Sequence, residues 1–173
     1  MPKIYTKTGD AGLTDLYDGS RVAKTEPIFD VLGTLDELAS HIGVLRTSIN
    51  FNLGWLPEIQ QILLNMGSII ATPHPPEGTA LPSVDTIVCT IESRIDKMEL
   101  LLPPLTQFLL VGGSNVPESQ AHVCRSVARR AEREFLKAGI DNDIIRIYLN
   151  RLSDFFFTFA RILMSNKHEI LIE

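Results

Sequence analysis

From position 25 onward the apolar residues recur at spacings of three and four, the period that keeps one face of an α-helix dry. Ile28, Val31, Leu32, Leu35, Leu38, Ala39, Ile42 and Leu45 mark a first helix. Thr25 is its expected N-cap, and Pro27 suits its first turn. Pro57 opens a second helix with the stripe Ile59, Ile62, Leu63, Met66, Ile69 and Ile70. His74-Pro75-Pro76-Glu77-Gly78 ends it, and a loop continues to about Pro82. Ser83 is the expected cap of a third helix, whose stripe is Val84, Ile87, Val88, Ile91, Ile95, Met98 and Leu102. Glu92, Arg94, Asp96 and Lys97 read as its wet face, and Pro103-Pro104 stops it. Residues 105–111 are too few for a helix and are expected to be extended or irregular, ending in Gly112-Gly113-Ser114-Asn115. Pro117 starts a fourth helix that runs to about position 137, with Gly139 placed for a left-handed C-terminal cap. A fifth, from about 143 to 165, is apolar on nearly all sides, so it lies either at the centre of the bundle or at a subunit interface.

Five long helices with short connections predict an all-α five-helix bundle in one domain covering 1–173. Nothing alternates as strand, helix, strand, and neither GxxxxGK[ST] nor GxGxxG occurs. Residues 1–24 stand apart: rich in glycine and threonine and poor in large apolar side chains, they read as an ordered loop ahead of the bundle at 25–165.

Composition narrows the function classes. With 45% apolar and 21% charged residues, global disorder is excluded. No apolar run approaches the roughly 20 residues needed to span a bilayer. A net charge of −5 argues against a general nucleic-acid binder. Cys89 and Cys124 fall in helical stripes and read as reduced core residues of a reducing compartment. The first residues show neither a signal peptide nor an Arg/Ser-rich transit segment, so the cytoplasm is expected, or the mitochondrial matrix if a transit segment has been removed. His41, His74, His122 and His168 have no metal-ligand spacing, so no metal site is expected.

Four features carry candidate chemistry. In Thr6-Lys7-Thr8-Gly9-Asp10-Ala11-Gly12-Leu13-Thr14 the glycines let backbone N–H groups converge on an anion, with hydroxyls, Lys7 and the nearby Lys24 to help. The same residues would also suit a plain turn-rich arm. In residues 125–133, Arg125, Arg129 and Arg133 line one helical face while Val127, Ala128, Ala131 and Phe135 take the core side. Such a row suits a polyphosphate, because each guanidinium forks across two oxygens and keeps its proton. It also suits a solvated face paired with Glu132 and Glu134. Asp36 and Glu37 interrupt the first helix's stripe beside Leu35 and Leu38, and an arginine of the fourth helix is the expected partner. Asn150, Arg151 and Asp154 sit in the apolar fifth helix, where a polar group takes either a ligand or the backbone as partner. Phe108, ahead of the glycine pair, is either a pocket wall or plain core.

Taken in order, TKTGDAGLT, DGSRVAK, GTLDEL, RSVARRAER and NRLSD resemble the trimeric ATP:corrinoid adenosyltransferases, over nearly the whole chain from Ile4 to about Arg161. The resemblance implies a homotrimer with active sites between subunits. It also implies transfer of the 5′-deoxyadenosyl group of ATP to cob(I)alamin with release of triphosphate. ATP, Mg²⁺ and a reduced corrinoid are the implied ligands. Neither a membrane nor a nucleic acid is implied, and handover of product to a B12-dependent enzyme is left open. On the matching positions, Thr6, Lys7, Thr8, Gly9, Gly12, Thr14 and Lys24 would hold the nucleotide. Arg129 and Glu132 would contact ATP, and Asn150 would hydrogen-bond it. Arg125 would pair with Asp36 of a neighbouring subunit, and Phe108 would lie against the corrin and keep a lower ligand off cobalt. Two positions depart from the usual pattern: Val111 stands where proline often precedes the glycine pair, and Ala39 where asparagine commonly follows Asp36-Glu37-Leu38. The competing reading is a non-catalytic corrinoid- and ATP-binding chaperone or regulator on the same fold.

Overall fold

A computed structural model describes residues 3–75, 77–78, 83–106 and 108–165. His168 and part of the loop expected to reach Pro82 lie outside them.

Among the described residues there are five helices: α1 Pro27–Ser48, α2 Trp55–Ile70, α3 Ile87–Glu99, α4 Val116–Lys137 and α5 Asp143–Ser165. Helix α4 lies between α1 and α5; α2 flanks α1, and α3 flanks α5. The apolar stripes meet in one core. Val31, Leu38 and Ile42 of α1, Ile59 and Met66 of α2, and Ala128, Ala131 and Phe135 of α4 are all shut away from solvent. Helix α5 is the central element, with Tyr148, Leu152, Phe155, Phe156, Phe159 and Ile162 fully buried. Phe155 meets Phe156 edge-on at 5.2 Å and stacks on Phe159 at 5.8 Å, arrangements that aromatic quadrupoles favour. No helix among the described residues is long and apolar enough to cross a membrane.

Several local expectations need correction. Residues 1–24 contain a short antiparallel hairpin, β1 Leu13–Asp15 and β2 Arg21–Ala23. Its turn is closed by Asp18, whose carboxylate accepts from the N–H and hydroxyl of Ser20, and by Gly19 at φ 85°. The N-cap of α1 is Glu26 rather than Thr25: Pro27 at the first turn forces the residue before it into the extended region. Helix α2 begins at Trp55, so Pro57 sits inside its first turn. Ser83 does not cap α3. Its hydroxyl bonds the carboxylate and N–H of Asp85, and the helix starts four residues later. At the other end, Leu101 and Leu102 bond three residues back, tightening the chain out of the helix before Pro103.

Two side chains of α3 are also placed differently from expectation. Arg94 is buried, not on the wet face. It pairs with Glu58 at 2.5 Å and lies 5.3 Å from the centre of the Trp55 ring. Cys89 is exposed, because the buried positions Ile87, Ile91, Arg94 and Met98 leave it on the far side of the helix. Cys124 is buried as expected, and that burial pushes its thiol up to about 12.

Candidate functional site

The N-terminal arm is built from successive tight turns. Lys7 takes a left-handed backbone at φ 63°, rare for a residue with a side chain and typical of functional turns. The N–H of Asp10 then bonds the carbonyl of Lys7, and that of Gly12 the carbonyl of Gly9. The N–H of Lys24 returns to the carbonyl of Gly12 at 2.9 Å, closing the arm on itself. The Lys24 ammonium lies close over Gly9: a Cβ there would stand 2.8 Å from Lys24 Nζ, which could swing aside. Lys24 thus lies over the glycine turn. Thr6 and Thr8 share a hydroxyl hydrogen bond of 2.8 Å, and Arg21 pins the carbonyl of Thr8 at 2.6 Å while paired with Asp15. Thr14 lies in β1.

On α4 the guanidinium row forms as the spacing predicts, with Val127, Ala128, Ala131 and Phe135 buried behind it. The nearby glutamates do not neutralise it. Glu134 pairs with Lys137, and Glu132 turns to α5, where it accepts from Asn150 Nδ2 at 2.9 Å. Arg133 donates to the backbone carbonyl of Arg129. The exposed Arg129 guanidinium has no ion-pair partner among the described residues. Asn150 Oδ1 accepts from Arg151, whose Nε donates to Glu92 of α3 at 2.8 Å. Only one orientation of the Asn150 amide serves both neighbours, so the line Glu132–Asn150–Arg151–Glu92 holds both candidate nucleotide contacts rigidly. Burial raises the Asp154 carboxyl above the usual carboxylate value, against the opposing pull of Arg151 and Arg129.

The expected pairing between α1 and α4 occurs through Glu37, which meets Arg130. Asp36 is exposed and has no hydrogen-bond or ion-pair partner among the described residues. It lines a cleft of about 310 Å³ between α1, α2 and the hairpin, with Tyr17, Leu35, Leu63 and Leu64 among its walls. Arg125 does not meet Asp36 within the chain; its Nε donates to His122 Nδ1 at 3.3 Å. Phe108 is fully exposed in the single chain, as is Leu110. It is therefore not core. The Gly112–Gly113 turn behind it is held by Glu118 and Ser119.

The structure thus joins Glu132 to Asn150 and sets Arg129 beside them on α4. No hydrogen bond or ion pair among the described residues connects the arm to that face. Glu118 is not marked by any periodic pattern, while Glu92 is expected only as wet face and His122 is weighed only as a metal ligand. The signal for Glu118 and His122 was the Asn115-x-x-Glu118 start of α4, a capping-box spacing, with His122 one turn further on between Ala121 and Cys124.

Comparison with known proteins accords with this geometry. A sequence profile of the cobalamin adenosyltransferase family matches residues 4–163. A cobalamin adenosyltransferase of Cupriavidus metallidurans is 41% identical, covering 94% of this chain and 89% of that one. The human corrinoid adenosyltransferase MMAB is 39% identical, covering 93% of this chain and 68% of its own length. Among solved structures, a variant PduO-type ATP:corrinoid adenosyltransferase from Lactobacillus reuteri, complexed with cobalamin and ATP, superposes with a TM-score of 0.86. It is 34% identical, with 97% of this chain and 93% of that chain covered. The profile spans the arm, the arginine helix and the Asn150 network together, and the chain belongs to the cobalamin adenosyltransferase family.

Proposed function

We propose that this protein transfers the 5′-deoxyadenosyl group of ATP to the Co(I) centre of a corrinoid, releasing triphosphate. The observation that carries the reading is Arg129: an exposed guanidinium with no ion-pair partner among the described residues, beside the ordered Glu132–Asn150 pair, in a chain of net charge −5. A cation left free there suits the anionic tail of a nucleotide. In the transfer, cobalt attacks the 5′ carbon and the carbon–oxygen bond to the triphosphate breaks. Co(I) is itself a strong nucleophile, so no side chain has to act as a base. The protein's tasks are to hold the carbon about 3–3.5 Å from the metal and in line with the leaving oxygen, and to meet the charge growing on the triphosphate. Arg129, Lys7 and Lys24 supply fixed charge for the second task. Mg²⁺ belongs to this reading as a companion of the phosphates, its usual mode of binding.

Among the described residues no hydrogen bond or ion pair joins the arm to the arginine face, and Asp36 and Arg125 do not meet. A homotrimer would bring the arm of one subunit to α4 of the next and satisfy both residues. Phe108 then becomes the apolar wall that faces the corrin and keeps a lower ligand off cobalt. A regulator without turnover is the less favoured reading, since it has no need of a free cation aimed at a leaving group.

The test is one mixture: protein, ATP, Mg²⁺ and chemically reduced cobalamin, followed by its visible spectrum. Growth of the alkylcobalamin spectrum with release of triphosphate is the expected result. Nucleotide binding with an unchanged spectrum would favour the regulator.

A further inference from the structure

Behind Phe108 lies a line of buried polar groups that the proposed chemistry does not use. Gly112 and Gly113 both take left-handed backbone, at φ 83° and 100°, so successive N–H groups turn toward one concavity. Such a nest usually receives an anion, and here the chain supplies its own. Glu118 Oε1 accepts from the N–H of Gly112 at 2.9 Å, and Oε2 from the N–H of Ser114 at 3.4 Å. Ser119 Oγ accepts from the N–H of Gly113 at 3.1 Å and donates to Glu118 at 3.3 Å. Glu118 is only 2% exposed. It stands where a capping-box glutamate would return to the N–H of its own cap, Asn115, but it reaches past that residue to the loop.

The line continues along α4. His122 is 8% exposed, with Nε2 3.1 Å from Glu118 Oε1. Arg125 Nε donates to His122 Nδ1 from the other side. That donation makes Nδ1 an acceptor, so the ring proton sits on Nε2 and points at Glu118. A second proton would set two donors against each other at Nδ1. Burial accordingly holds the imidazole below its ordinary pKa of 6.5. Arg125 uses Nε here, and its two terminal nitrogens have no hydrogen-bond partner among the described residues.

We propose that Glu118 and His122 are positioning residues that transmit the orientation of the Arg125 guanidinium to the Gly112–Ser114 loop and so place the Phe108 segment. The proposal rests on the reading that this segment faces the corrin. When a carboxylate or phosphate takes the terminal nitrogens of Arg125, the guanidinium turns. The imidazole follows the Nε contact, Glu118 follows the imidazole, and the loop follows the carboxylate that holds its N–H groups. The subunit boundary at Arg125 and the corrin side of the site are then linked through one protomer's α4.

Two measurements test this. The first uses the unliganded protein: Arg125→Lys should shift the amide resonances of Gly112 and Gly113 and the ring nitrogens of His122. In a His122→Asn background, whose shorter side chain still accepts from position 125 but cannot reach Glu118, the glycine shifts should vanish. The second is kinetic. Glu118→Gln should lower turnover from Co(II) corrinoid on the order of tenfold or more, with KM for ATP held within about threefold. The losses in Glu118→Gln and Arg125→Lys should not multiply in the double variant. Glycine amides indifferent to Arg125→Lys, or equally shifted with and without His122, would overturn the relay, as would multiplying kinetic losses. If Glu118→Gln does not fold, the His122→Asn arm still decides. A parent protein that binds both ligands but never forms alkylcobalamin would defeat the transfer reading, while the resonance experiment would still judge the relay.

Discussion

Replacing Arg129 by alanine separates the role of the site from that of the fold. The side chain is exposed and makes no ion pair with any described residue, and the hydrogen bond from Arg133 goes to its backbone carbonyl, which alanine retains. Alanine is also the better helix former by a few tenths of a kcal/mol. Folding stability should therefore stay within about 0.5 kcal/mol of the parent, the usual range for surface changes. For a chain of this size that is a melting shift of only about 1–2 °C. Activity should behave differently. Removing one fixed group that meets developing charge costs roughly 10²-fold in kcat, equivalent to about 2.7 kcal/mol of transition-state stabilisation. The assay is initial-rate formation of alkylcobalamin from chemically reduced cobalamin at saturating ATP, with thermal unfolding run on the same samples. An unchanged kcat at unchanged stability would remove Arg129 from the transition state. A loss of several degrees with an equal loss of activity would show that its role is structural.

Four further outcomes are expected. Asp36→Asn should weaken self-association and turnover together while leaving the protomer folded, because the residue has no partner among the described residues of its own chain; sedimentation and rate both equal to the parent would refute a partner across the interface. Phe108→Ala should slow the reaction from Co(II) more than that from pre-formed Co(I), and equal losses would contradict the wall. Tyr148→Phe should raise stability by about 1 kcal/mol, since the Tyr148 hydroxyl is buried without a hydrogen-bond partner among the described residues; chemical denaturation showing a loss of that size would reveal a partner. Finally, His122 stays neutral in the native state below its ordinary value of 6.5, whereas the unfolded chain takes up the proton there. Its contribution to stability is complete above 6.5 and is lost as pH falls from 6.5 toward the lowered native value. The slope of stability against pH in that window should be smaller in His122→Asn, and an identical slope would assign the effect elsewhere.

How much could be read from the chain alone depended on whether a signal was local. Helices α1, α4 and α5 were legible because unbroken 3.6-residue stripes fixed their faces and Pro27, Pro117 and Gly139 fixed their ends. The start of α3 was not, because Ser83, Asp85 and Thr86 offer several hydroxyl and carboxylate groups that compete for the same N–H donors, and Ser83 spent its bond on Asp85. Arg94 was misassigned by polarity although its spacing, three from Ile91 and four from Met98, placed it on the dry face; its long side chain carries the charge to Glu58. The hairpin escaped notice because three-residue strands of mixed polarity show no alternation, although Asp18-Gly19 marked its turn. On α4 the neighbourhood of Arg129 and Glu132 was legible from helical phase, whereas the hydrogen bond from Asn150 of α5 to Glu132 joins two helices and is encoded by neither stripe. Glu118 and His122 were not legible: their meaning depends on a loop folding back onto them, and no periodicity encodes that.

The attachment of the amino-terminal hairpin has an energetic consequence. Its strands are three residues long, most of its surface is open to water, and a backbone bond from Tyr17 N–H to the Ala71 carbonyl moors it to the end of α2. A two-stranded ribbon of this kind is barely stable by itself, so it can unlatch at far smaller cost than the helices behind it. Were a ligand to dock there, part of the free energy released would go into fastening the latch, lowering affinity but letting a spent product leave without disturbing the core.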